Sequence, residues 1–196
     1  MEDESIKLFF SYSHKDEALR NELVNHLHIL TRQGIISSWH DRKILPGDEW
    51  NHHIHDHLET ADIILLLISA DFIASDYCLD TEVETALRRH DSGEACVIPI
   101  VLRPVDWTGA LFAKLQVLPT HGKPVTVWSD RDEAFLDVAQ GIRKIAENLR
   151  TRRTQKFEEK QRVNDQYKKK VEEIFSSSYG HISVIARDTL NGWLCT

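Results

Sequence analysis

Cysteine is scarce: Cys78, Cys96 and Cys195 are the whole complement. An odd number without metal-ligand spacing excludes a disulfide framework and suits a reducing compartment. Long apolar runs are missing too. The longest, Ile63 to Ile68, is six residues, against the roughly 20 that a helix needs to cross a bilayer, so no membrane partner is expected. Positive charge is in deficit, with 24 Lys and Arg against 31 Asp and Glu and a net charge of −7. That balance argues against a dedicated nucleic-acid binder. Glycine-rich phosphate loops are absent as well. The first apolar run ends in Ser11-Tyr12-Ser13-His14, so it carries neither the dinucleotide fingerprint nor a P-loop. Met1-Glu2-Asp3-Glu4 is acidic where a secretory leader would be basic, and the expectation is a cytoplasmic protein without a signal.

What is present is a globular composition, 41% apolar and 28% charged over 196 residues. This suits one domain of roughly 150 residues with an appendage. Ile6 to Tyr12 is an aromatic-rich run that predicts a buried strand. Ser13 precedes Asp16 by three residues, the spacing of a capping box, so Ser13 is expected to cap the next helix. Leu19, Leu23, Leu27 and Leu30 trace one face of that helix, which should stop near Gly34. A short strand is expected over 35–39, then a polar loop through Pro46-Gly47, then a helix marked by Trp50, Ile54 and Leu58. Ile63 to Ile68 reads as a strand buried on both faces, and Val83, Ala86 and Leu87 mark a third helix. Val97 to Leu102 is another buried strand, with Pro99 placing it near a sheet edge. Residues 103–124 read as an irregular connection, Val125 to Trp128 as a last short strand, and Ala134, Phe135, Val138, Ile142, Ile145 and Leu149 as a long amphipathic helix.

Strand and helix thus alternate about five times, the pattern of an open, doubly wound α/β sheet. The expected architecture is a five-stranded parallel sheet with helices on both faces. Residues 1–149 form the domain, and 150–196 form a charged helical extension that ends in an ill-defined tail from Ser176.

Several motifs bear on chemistry. His53 and His57 share a helix face at i, i+4 as zinc ligands can, but no third ligand is placed by spacing, so no metal is expected. Ser11 or Ser13 lacks the G-x-S-x-G elbow of a serine hydrolase. Cys78, near a helix start, fits a packing residue better than a reactive thiol. A phosphoryl receiver would need acidic groups where this chain has Ser11-Tyr12-Ser13 and Ser69. The crevice expected of such sheets lies beyond the carboxyl ends of the strands where their order reverses. A 2-1-3-4-5 order makes Ser11 to Lys15 and Ser69 to Glu82 neighbours there. Glu82, one residue before the inward-facing Val83, is then placed at the crevice.

Leu8-Phe9-Phe10-Ser11-Tyr12-Ser13, Trp39 to Gly47, Leu66-Leu67-Ile68-Ser69, and Ser75-Asp76-Tyr77-Cys78 followed by Glu82 resemble the TIR (Toll/interleukin receptor) domain, especially its stand-alone bacterial form. The resemblance covers residues 5–149 and implies a flavodoxin-like fold. Members are either adaptors that self-associate or enzymes that cleave the nicotinamide–ribose bond of NAD, the latter through a glutamate on the helix after the third strand. Glu82 matches that position, with Glu84 and Asp80 as competitors. The resemblance implies an NAD hydrolase of bacterial immune signalling and antiviral defence, needing no cofactor besides NAD as substrate. The alternative is a non-catalytic module acting by homotypic assembly. The groups it suggests around the substrate are Phe10, Ser11, Tyr12, Ser13, Ser69 and Cys78, with Asp41, Lys43 and Leu45 in a lid and Trp50 or Tyr77 stacking on a ring.

Overall fold

The computed structural model describes residues 5–39, 56–75 and 82–191. The chain divides into two compact units, Met1–Arg150 and Thr151–Thr196. In the first, β1 (Ile6–Ser11) is followed by a 3-10 turn (His14–Asp16), α1 (Glu17–Arg32) and β2 (Ile36–Trp39). A helical stretch over 56–60 leads into β3 (Ile63–Ile68), then the short α2 (Ala70–Ile73), α3 (Glu84–Asp91) and β4 (Cys96–Val101). The final helix, α4, runs over Arg131–Asn191.

The four strands are parallel, in the order β2-β1-β3-β4. Period-two alternation splits each inner strand between two cores. Ile6, Leu8 and Phe10 of β1 and Ile63, Leu65 and Leu67 of β3 join Leu23, Leu27 and Leu30 of α1 and Phe135, Val138 and Ile142 of α4. On the other face Phe9, Ile64, Leu66 and Ile68 meet Leu58, Phe72, Val83, Ala86 and Leu87. The sheet is therefore covered by helices on both faces, as a continuous run such as Ile63–Ile68 demands. The chain leaves β1 towards β2 on one side and returns as β3 on the other. The predicted reversal thus lies between β1 and β3, with Ser11 level with Leu66.

The expected stop of α1 is a Schellman motif. Gly34 adopts φ 63°, its N–H donates to the Thr31 carbonyl, and the Ile35 N–H donates to the Leu30 carbonyl, both at 3.0 Å. The expected start differs. Ser13 makes no side-chain cap bond; its carbonyl accepts from the Asp16 N–H at 2.7 Å, and the acid of the supposed capping box turns towards β3 instead.

The expected fifth strand is also corrected. Val125–Val127 forms a 3-10 turn, and the described sheet has four strands. Beside β4 the chain offers one bridging residue, Leu118, whose N–H donates to the Pro99 carbonyl (2.9 Å) and whose carbonyl accepts from Val101 (2.8 Å). Pro119 follows immediately and has no N–H with which to continue a ladder. Pro99 itself fits the edge position: its carbonyl points outward to Leu118, so its missing donor also falls on the outer side.

Helix α4 extends further than expected, through the Ser176-Ser177-Ser178 stretch and Gly180 that suggested a tail. Such residues each cost under about 1 kcal/mol in a helix, and lengthening a helix needs no new nucleus. In the second unit Phe157, Val163, Tyr167 and Ile174 are exposed.

Candidate functional site

The carboxyl end of β1 delivers Ser11 into a buried position, and the entry to α3 delivers Glu82 to meet it. The Ser11 hydroxyl donates to Oε2 of Glu82. Both groups are almost fully enclosed, at 1% and 6% exposure. Glu82 and Val83 form a π-type turn ahead of α3, a device that re-aims a side chain and recurs at functional sites. Val83, fully buried in the core, anchors that turn. Glu84, two residues on, is exposed, whereas Glu82 is enclosed. Asp80 lies outside the described residues.

A second polar group sits just beyond. Asp16, 1% exposed, accepts from the Ser69 hydroxyl and from Nε of Arg103 at 2.7 Å. Ser69 also accepts from the Phe72 N–H at 3.1 Å, capping α2. Nη2 of Arg103 donates to Asp71, and the other oxygen of Asp71 accepts from Nζ of Lys15 at 2.6 Å. The turn after β1, the start of α2 and the segment after β4 are thereby pinned together. The hydrogen bonds from Lys15 and then Arg103 hold the Asp71 carboxyl below its ordinary range. The bonds that Arg103 itself donates to Asp71 and then Asp16 raise the pKa of its guanidinium.

A carboxylate whose folded-state pKa is depressed adds stability above its unfolded value, and that contribution is lost as pH falls through the folded one. Asp71→Asn should therefore lower the urea midpoint near pH 6, and the difference from the unsubstituted protein should shrink as the pH drops below about 4. An equal difference at both pH values would contradict the ion-pair assignment.

Of the other residues expected near the substrate, Phe10 lies in the core. It is 4% exposed and packs in the core with α1 and α4, because β1 alternates and position 10 falls on that face. Tyr12 is half-buried against the same core. Its hydroxyl accepts from Arg20 at 2.9 Å, and the guanidinium lies 4.9 Å from the ring centroid. Ser13 is half-buried. Asp41, Lys43, Leu45, Trp50, Tyr77 and Cys78 lie outside the described residues, as does His53. Among the described residues no group of three or more His, Cys, Asp or Glu is placed to hold a metal ion.

Sequence reasoning missed Asp16, Arg20, Asp71 and Arg103. For Arg20 a signal existed: it lies three and seven residues before Leu23 and Leu27, on the buried stripe of α1. Asp16 reads as part of a cap by its spacing from Ser13, and neither Asp71 nor Arg103 carries a spacing that announces a long-range partner.

The chain is 58% identical over 139 residues to an uncharacterized protein, y4lF, of Sinorhizobium fredii (strain NBRC 101917 / NGR234). That match takes in 71% of this chain and 43% of the relative, so the chain spans less than half of that protein's length. Among solved structures it is similar to the TIR domain of the Toll-related receptor TRR-2 from the lower metazoan Hydra magnipapillata. There the identity is 22% and the TM-score 0.49, over 71% of this chain and 96% of that one. Residues 8–139 match the family model described as the TIR domain, and the chain belongs to that family.

Proposed function

We propose that this chain is an NAD hydrolase that breaks the nicotinamide–ribose bond, with Glu82 as its catalytic residue. The observation that carries the reading is the buried Ser11–Glu82 pair at the reversal point of the sheet, where open α/β folds bind their ligands. A buried carboxylate carries a desolvation cost that a hydrogen bond such as the one from Ser11 offsets in part.

The chemistry suits a single carboxylate. Ordinary glycosidases use two because an alkoxide leaving group must be protonated. Nicotinamide in NAD is a cationic pyridinium. When its bond to C1′ breaks, the electron pair goes to the ring nitrogen and the base departs neutral, with no proton donor. Positive charge then grows on the ribose, and an ionised Glu82 beside it stabilises that charge electrostatically. Ser11, by donating to Oε2, fixes the carboxylate's direction. Water adding to C1′ loses a proton and gives ADP-ribose; attack by an adenine nitrogen gives a cyclic product. The setting we propose is the cytoplasm and a role in bacterial immune signalling. The reading is tested by incubating the purified full chain with NAD and measuring nicotinamide.

One observation favours a second reading. Phe157, Val163, Tyr167 and Ile174 present apolar surface on the helix of the second unit, which suits an adaptor acting by self-assembly. Light scattering on the full chain and on a chain ending at Leu149, with the nicotinamide assay beside it, separates the two. Assembly of the full chain alone, without nicotinamide release at any concentration, is the result expected of an adaptor. Release that rises with assembly is expected of an enzyme.

A further inference from the structure

Lys15 and Arg103 are cations carried on the turns after β1 and β4, at the same edge of the sheet as Ser11 and Glu82. Ser69 lies three residues beyond Leu66, which is level with Ser11, and Arg103 lies two beyond Val101, which is level with Ile68. At about 3.3 Å per extended residue, Ser69 stands about 10 Å and Arg103 about 13 Å along the strands from the Ser11 level, a gap that the long Arg103 side chain can span back towards the site. Their present partner, Asp71, has an exposed side chain by about a quarter, against 76% for Lys15 and 34% for Arg103.

We propose that Lys15 and Arg103 seat the diphosphate of the dinucleotide, and that Asp71 is the carboxylate which the diphosphate displaces. The inference rests on the hydrolase reading, since the diphosphate of NAD is one ribose away from the bond that Glu82 would act on. Three carboxylates stand at this edge, Asp16, Asp71 and Glu82, and repel a dianionic diphosphate; Lys15 and Arg103 are the cations that offset that repulsion. The guanidinium of Arg103 is divided for the task. Its Nε side is committed to the buried Asp16, which keeps the group in place, while its Nη2 side faces the accessible Asp71. A phosphate oxygen takes the same fork geometry as a carboxylate. Asp71 holds both cations at the spacing of two anionic oxygens before substrate arrives, and once displaced it is open enough to be solvated. Asp16 is not, and stays paired.

The signs of the expected effects are opposed, which makes the test discriminating. ADP-ribose binding is measured by calorimetry on the full chain carrying Glu82→Gln, so that no turnover is required. Adding Lys15→Ala should weaken binding about tenfold, the loss of one charge-assisted hydrogen bond. Adding Asp71→Asn should tighten it several-fold by removing the competitor. Both effects should shrink in high salt, and inorganic pyrophosphate should compete. Nicotinamide riboside, which lacks the diphosphate, should be cleaved with a KM indifferent to Lys15→Ala in the chain that retains Glu82. Failure of ADP-ribose to bind, or affinities within twofold of each other in all three proteins, overturns the subsite even if NAD is cleaved. If ADP-ribose binding shifts as stated but no nicotinamide is ever released from NAD, the subsite stands and the hydrolase reading falls.

Discussion

Glu82→Gln is expected to lower nicotinamide release from NAD by about a thousandfold, corresponding to about 4 kcal/mol of transition-state stabilisation. The substitution keeps the shape of the side chain, and its amide oxygen still accepts from Ser11. What it removes is the negative charge that the developing ribose cation requires. The loss should therefore fall on kcat, with KM within a few-fold of the unsubstituted protein, because the charge matters most once the bond has begun to break. Folding should not suffer. Replacing a buried carboxylate, 6% exposed, by a neutral amide lessens a desolvation cost, so the melting temperature is expected to hold or rise slightly. Turnover retained in this variant would move the catalytic role to Glu84 or Asp80.

The second large effect concerns stability. Arg103→Ala should cost about 3 kcal/mol, at the lower end of what breaking a buried ion pair costs. Asp16 would be left charged and enclosed, with the Ser69 hydroxyl as its remaining partner in the cluster described above. For a domain of this size the loss is a fall of roughly 6–12 °C in melting temperature. Adding Asp16→Asn to Arg103→Ala should recover part of it, since no charge then remains to be satisfied. A double variant no more stable than Arg103→Ala alone would mean that the cost arises from lost packing of the arginine stem instead. A single variant within 1 kcal/mol of the unsubstituted protein by the linear extrapolation of urea curves would refute the assignment of the pair as a structural clamp.

Much of the frame could be read from hydrophobic spacing because that spacing is imposed by burial. Ile63–Ile68 is enclosed on both faces, and a strand so enclosed has few polar options; Leu19, Leu23, Leu27 and Leu30 repeat because α1 lies against the sheet. The alternation of strands and helices gave the sheet class, and the 2-1-3-4-5 order assumed for that class puts the reversal between β1 and β3, where the observed order has it. The fifth strand failed for a local reason. Val125 and Val127 look like strand residues, but Val125 is buried at a 3-10 turn while Val127 is half-exposed at 52%, and the edge of β4 was already met by Leu118. Phe10 neighbours Ser11 in sequence, yet in a strand neighbours face opposite sides, and Phe10 packs in the core with α1 and α4. The Asp16–Ser69–Arg103 cluster was invisible because its members are 53 and 87 residues apart, and no periodic pattern relates a turn after one strand to a loop after another.

Pro99 and Leu118 carry a consequence for how copies of this chain can meet. An open parallel sheet ordinarily ends in a row of bare amide and carbonyl groups on which a foreign strand can zip, the route to fibrous aggregates. Here that row is interrupted at its centre by a residue with no amide hydrogen and is covered at one step by the chain's own Leu118. A neighbouring molecule approaching this rim finds no template to extend, so contact there must be made by side chains, whose complementarity can be reversed and regulated in a way that backbone zippering cannot.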